Sequence, residues 1–388
     1  MKIIKSLPRL KKDGTADSGT GHFDLLFLLF VLLITAYGTV MVFSAGGPYA
    51  EVRYGDALYF VKKQTVWLLV GISVMYFASH LPTRLYKKYA LHAYIATLCL
   101  LLLVLAFGFV GNGAQRWISI GPLTIQPSEI AKLSMVMMLA KYFEDNEVRA
   151  LEQRRRRDIF IYGTLIPGLI MLGLIVPVIL QKHLSCTIIL GTLGLLLIFC
   201  AGINPRYIYA FSGLGALGVT ALALFTDYTK ERIVVWRNPE AYKLTGGWQT
   251  LQGLMAIGSG GLFGVGLGKS VLKHCYISEP ANDMIFAVLC EELGLLGAVS
   301  AIILFGMLVF RGIQISLRAE DVFSRLLTLG ISLKMAIQVL LNIGVVTNTI
   351  PNTGISLPFF SYGGSSLVML FFEMGIVLSV SRSSKISK

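Results

Sequence analysis

Charge is scarce in this sequence. Asp, Glu, Lys and Arg together make only 14% of the 388 residues, against about a quarter in an ordinary soluble domain. Cysteine is scarce too: the five, Cys99, Cys186, Cys200, Cys275 and Cys290, form no CxxC pair and four lie in apolar runs, which excludes a disulfide framework and a zinc site. The five histidines are scattered, with no HExxH and no pair at helical spacing, so no metal cage is written in the sequence. What the chain has instead is apolar residues, 55% of the total, and a mean hydropathy of +0.71. Water is the wrong solvent for most of it.

The apolar residues come in runs long enough to cross a bilayer. The first, Leu25 to Phe43, has no charge and follows a basic tail rather than a short apolar stretch with a cleavage site, so it reads as a retained span. Further candidates are Phe60–Ser79, Ala90–Val110, Leu123–Phe143, Ile159–Leu180, Leu184–Ala201, Tyr207–Phe225, Met284–Phe310, Leu326–Val346 and Leu357–Val380. The expectation is an all-α polytopic membrane protein of about ten helices. A tail of residues 1–23 precedes a membrane domain of residues 24–382, and a tail of residues 383–388 follows it. Placing both termini in the cytoplasm puts 21 of the 34 Lys and Arg on inward segments, as the positive-inside rule asks. The formal charge of +13 is thus a topological signal and an attraction to anionic lipid heads, and nucleic acid is excluded as a partner. The one long loop, residues 226–282, then faces outward. Its uncharged stretch Leu251–Gly268 holds seven glycines, poor material for a spanning helix, and reads as a re-entrant or surface-lying segment.

Ionisable groups at membrane depth are costly and therefore informative. Asp283, Glu291, Glu292, Glu129, Lys132, Lys334 and Glu373 stand out, each with packing ion pair or snorkelling edge residue as the alternative. Asp283 ends the outer loop at the start of the eighth span, with an apolar wall behind it, where a carboxylate can become a useful base. Glu291 lies eight residues on, about 12 Å deeper and about 80° around a continuous helix, so it and Glu292 are read as structural. The string GSGGLFGVGLGKS, Gly258 to Ser270, fails as a nucleotide loop because Phe263 stands where the first glycine is needed. A backbone nest for another anion and a flexible hinge both remain open. Arg116, beside Trp117 in the second outer loop, reads either as a bidentate phosphate grip, with Lys132 nearby, or as an ordinary interfacial arginine.

Four segments carry a resemblance: GNGAQRWISIGPLTIQPSEIAK (Gly111–Lys132), GGWQTLQGLMAIGSGGLFGVGLGKS (Gly246–Ser270), EPANDMIFAVLCEELGLLG (Glu279–Gly297) and NIGVVTNTIPNTGISLPFFSYGGSSL (Asn342–Leu367). They resemble the SEDS family of peptidoglycan polymerases, over a stretch from about Asp24 to Arg382. The wording around Ser270 is nearer to the FtsW and SpoVE members than to RodA. The resemblance implies a ten-span fold and lipid II, the undecaprenyl-pyrophosphate-linked disaccharide pentapeptide, as substrate. It further implies a class B penicillin-binding protein among other division or elongation partners, an essential aspartate at Asp283, and substrate contacts from the motifs that hold Gln249 and Ser361. Two departures stand out: Asn282 replaces the family's threonine, and HLSC (His183–Cys186) replaces a DLGT-like motif, removing a carboxylate from the outer mouth.

The reading is an outward-facing glycosyltransferase of the bacterial cytoplasmic membrane. Asp283 would serve as base, with Arg116, Lys132 and a divalent cation (Mg or Mn) as candidates to meet the pyrophosphate. A lipid II flippase without bond chemistry is the alternative, and predicts its essential charges near the midplane rather than at the outer interface. A scaffold for division partners predicts dispensable outer charges.

Overall fold

The structure, a computed structural model, describes residues 23–111, 114–120, 123–146, 158, 160–203, 213 and 227–383. Helix α1 (Leu25–Tyr54) starts where Asp24 caps it, its carboxylate accepting from Phe27 N at 2.9 Å, and stops at Gly55 with φ 71°, the usual chemistry at both helix ends. Then come α2 (Tyr59–His80) and α3 (Thr83–Phe107), and a small antiparallel sheet of β1 (Phe109–Gly111), β2 (Ala114–Ile120) and β3 (Leu123–Ile125). The sheet is a small exception in a chain that is otherwise mostly helical among the described residues. Residues Leu123–Ile125, read as the start of the fourth span, are its edge strand, and α4 (Pro127–Asp145) begins where a proline fits the first helical turn.

A wide π turn (Ile161–Leu165) leads into α5 (Ile166–Leu180), just where Pro167 takes a hydrogen bond away from the helix. Helix α6 (Leu184–Cys200) follows. The seventh expected span, Tyr207–Phe225, lies outside the described residues, as do most of the two tails. Beyond it come α7 (Asp227–Arg237), α8 (Trp248–Gly260), α9 (Ile285–Arg318), α10 (Val322–Val346) and α11 (Gly364–Ser383). The tenth expected span therefore starts later than the apolar run suggests, because residues 351–363 form an irregular segment. Among the described residues, six helical stretches are long and apolar enough to cross a membrane: α1, α3, the π turn with α5, α9, α10 and α11. Helices α2 and α4 lie at the second and fourth expected spans but carry Lys62, Lys63, Glu129 and Lys132.

Small residues bring the helices together, as is usual in membranes. A Cβ at Gly71 of α2 would lie 2.3 Å from the Phe371 ring of α11, and one at Gly375 of α11 would lie 2.6 Å from the Met75 carbonyl of α2. Some of the buried charges pair across helices. Lys334 Nζ meets Glu373 Oε2 at 2.6 Å between α10 and α11, which satisfies two groups that are ruinous alone in hydrocarbon.

The glycine-rich stretch runs down the flank of α9 and turns back. Gly253 packs on Met284 and Ala287, and Gly260 on the Cys290 carbonyl. Then Val265 N and Gly266 N donate to the carbonyls of Glu291 and Glu292 at 2.9 and 3.0 Å. Gly294 interrupts α9 with φ 65° and ψ −163°. Beyond this break Leu295 N donates to Gly261 O at 2.9 Å and Leu296 N to Leu262 O at 3.2 Å, so the loop satisfies the amides that the break releases. Glu291 and Glu292 complete the joint. Glu291 accepts from Ser270 Oγ at 2.5 Å and Val271 N at 2.9 Å, and Glu292 from Lys273 Nζ at 2.7 Å and Ser44 Oγ at 2.6 Å.

Candidate functional site

Asp283 stands two residues before α9, half-buried, where the returning loop meets the helix. Its carboxylate accepts from Gln249 Nε2, 3.2 Å from Oδ1 and 3.3 Å from Oδ2. Gln249 is in the first turn of α8, so the packing of α8 on α9 aims this amide. Gly354, at φ 67°, comes close to the other side: a Cβ there would lie 3.9 Å from Oδ2. The main chain is held as firmly. Three consecutive carbonyls, those of Ala281, Asn282 and Asp283, accept from Tyr362 N at 2.8 Å, Ser361 Oγ at 2.6 Å and Asn342 Nδ2 at 2.9 Å.

Burial pushes the Asp283 carboxyl up from its ordinary 3.8 to about 6, and the neighbouring negative charge of Glu279 adds to the push, while the hydrogen bond from Gln249 opposes it. Glu279 in turn accepts from Asn282 Nδ2 at 2.5 Å, so the amide at this position is used as a donor. Glu279 was not singled out from the sequence, although its place four residues before Asp283 in EPAND is the signal that could have found it. Two cations flank this side. Arg53 at the end of α1 feels the charge of Glu279 and donates to Tyr49 Oη at 2.8 Å, and Lys63 of α2 lies near Tyr362.

Of the residues selected from sequence, Gln249 and Asp283 touch. Ser361 is adjacent, but its hydroxyl is consumed within the protein: it donates to Asn282 O and accepts from Leu357 N at 2.7 Å. It braces the main chain beside Asp283. Lys132 is engaged within the protein as well. It is 1% exposed, with Nζ 2.7 Å from Glu129 and 3.4 Å from Gln338 Oε1, because a lone ammonium inside the bundle needs a counter-ion. Arg116 sits at the junction of α5 and α6, where Nη2 donates to Lys182 O at 2.7 Å. Beside it, burial foremost and then the Arg116 charge push His183 down to about 3, so the HLSC departure puts a neutral imidazole where the family has a carboxylate. The 351–363 segment joins this cluster to Asp283, since Ser185 Oγ donates to Thr353 O and Gln338 Nε2 to Ser356 O at 3.3 Å.

A divalent cation finds no ready cage at Asp283. Both carboxylate oxygens already face the Gln249 amide, Glu279 is engaged by Asn282, and no group of three or more His, Cys, Asp or Glu gathers among the described residues.

Helices packed through glycine, six of them among the described residues long and apolar enough to cross a bilayer, define a polytopic membrane protein. Comparison with known proteins gives the particular kind. The cell cycle protein family of FtsW, RodA and SpoVE matches residues 24–386. Stage V sporulation protein E of Bacillus subtilis is 37% identical over 93% of this chain and 98% of that protein. The probable peptidoglycan glycosyltransferase FtsW of Geobacter metallireducens is 36% identical over 94% and 96%. Among solved structures, one chain of a peptidoglycan synthase complex that coordinates polymerization and crosslinking superposes with a TM-score of 0.76 at 28% identity, covering 93% of this chain and 98% of that one. The rod shape determining protein RodA of Thermus thermophilus gives 0.69 at 29% identity over 93% and 97%. The chain belongs to the FtsW/RodA/SpoVE family.

Proposed function

We propose that this protein is a peptidoglycan glycosyltransferase that polymerises lipid II at the outer face of the bacterial cytoplasmic membrane. The observation that carries the reading is the Asp283 carboxyl, held near neutrality in its pKa and fixed through both its side chain and its main chain. A base poised near the working pH takes a proton best. In the reaction, Asp283 accepts the proton of the acceptor sugar hydroxyl as that oxygen attacks the anomeric carbon of the donor. The bond from that carbon to the pyrophosphate breaks, and undecaprenyl pyrophosphate leaves with the electron pair. Gln249 keeps the carboxylate aimed. Arg116 is proposed to meet the leaving group, with Lys132 acting only through its buried pair with Glu129.

We further place about ten spans in the bilayer with residues 226–282 outside and both termini inside, a reading supported by the distribution of basic residues. The likeness to a chain of a peptidoglycan synthase complex supports a class B penicillin-binding protein as partner. The test is polymerisation of fluorescent lipid II by purified protein. Asp283→Asn is expected to abolish glycan ladders while insertion and expression persist, because loss of a general base costs on the order of 10² to 10⁴ in rate. A folded, active Asp283→Asn enzyme would return the weight to a flippase or a scaffold.

A further inference from the structure

Asn342 lies on α10, one element removed from the site, and is fully buried. Its carboxamide spends both N–H groups on main-chain carbonyls of two different segments: Asp283 O at 2.9 Å and Ile355 O at 2.7 Å. The first belongs to the residue proposed as base, the second to the 351–363 segment that covers it. The amide oxygen is buried with no hydrogen-bond partner among the described residues. This fixes the orientation, since turning the amide over would set its oxygen against two carbonyl oxygens. It also argues against a role in stability alone, because an orphaned buried oxygen is a penalty that native structures rarely carry without a reason.

The neighbouring ties show what the geometry achieves. Tyr362 N and Ser361 Oγ hold Ala281 O and Asn282 O, but both donors come from the same irregular segment and move with it. Asn342 comes from the regular part of α10, where a helix fixes its Cα. Among the described residues, it alone links the Asp283 carbonyl to a rigid element and the covering segment at once.

We propose that Asn342 is a positioning residue for the transfer reaction, setting the height of the Asp283 main chain and the register of the 351–363 segment over it in a single contact. The proposal rests on Asp283 acting as the base. Asn342 touches no reacting atom. It acts through Asp283, whose carboxylate swings on the main-chain anchor that Asn342 holds.

The substitution Asn342→Leu keeps the branching and the number of side-chain heavy atoms, suits an apolar surrounding, and removes both donors. In purified full-length protein assayed on lipid II, kcat is expected to fall on the order of 10²-fold, the cost of misplacing a catalytic group by about 1 Å, while KM stays within about threefold. The acid limb of the pH–rate profile is expected to move below about 6, because a loosened carboxylate is better hydrated. The charged groups on this side, Glu279 beside Asp283 and Arg53 beyond it, are unchanged by the substitution. A merely structural asparagine lowers yield and melting temperature but leaves the limb and kcat of the folded fraction alone, and that outcome overturns the proposal. Should Asn342→Leu fail to reach the membrane, Asn342→Ser retains one donor and is read the same way: a lowered kcat with a shifted limb supports the role, a wild-type profile overturns it. Asp283→Asn measured alongside separates the two ideas. An active Asp283→Asn removes the base, whereas an inactive Asp283→Asn with a fully active Asn342→Leu removes only the positioning.

Discussion

At the scale of single residues, the site turns on how one carboxyl is kept from ionising too readily. Two causes act on Asp283, burial first and Glu279 second. With Asp283 as the proposed base, activity is expected to require the ionised form and to fall as pH drops through about 6. Replacing Glu279 with Gln removes a negative charge, favours a second one nearby, and moves that limb to lower pH. Burial, the larger cause, remains, so the limb stays above the ordinary carboxylate range. The plateau rate is expected to drop modestly, since a weaker base accepts a proton less readily. A pH–rate profile of Glu279→Gln on lipid II checks this, and a limb that moves upward would show that Glu279 does not act through its charge. Asp283 could be selected from the sequence because it ends the outer loop at the start of a span, and Gln249 only through the resemblance of the motif that holds it. Asn342 could not, because an asparagine in an apolar helix shows its purpose only when both carbonyls it serves are seen.

At the scale of elements, the break in α9 is the least forgiving feature. Gly294 occupies a backbone region that is almost exclusive to glycine, and a Cβ there would lie 2.4 Å from Gly264 N and 2.6 Å from Leu262 C. Gly294→Ala is expected to lose about 1–3 kcal/mol from backbone strain alone, with more from the clash, and to lower the melting temperature in detergent. Gly306→Ala in the same helix, with nothing within 4 Å of the added carbon, is the control and should melt near or above the wild type. Equal melting of the two variants would mean that the loop does not rest on the break. The helices themselves were readable from apolar runs, and most of the misplaced boundaries fall at one end of the bundle. There Leu123–Ile125 and Leu357–Phe360 are apolar without being helical, since a short apolar run fits a strand or a buried loop equally well. The charges of Glu291 and Glu292 read as structural from their spacing, but the loop they hold was not visible until Ser270, Val271 and Lys273 were seen folded back upon them.

At the scale of the whole molecule, the proposed topology makes a plain forecast. On a cysteine-free background, Leu244→Cys, in the long loop and 88% exposed, should react with an impermeant maleimide in intact cells, and Glu320→Cys, between α9 and α10, should not. The reverse pattern would invert the protein in its membrane and place Asp283 on the wrong side for lipid-linked sugar polymerisation. The hairpin that α8 forms along α9 bears on how such a molecule is assembled. The loop is synthesised before the helix it leans on, so α8 and the glycine turn must wait, unsupported, until residues 285–296 arrive. Only then do the amides beyond Gly294 find their carbonyls. The outer loop and the span that follows it are thus one unit of insertion, and grafting this loop onto a relative's α9 should fail unless the helix as far as Leu296 travels with it.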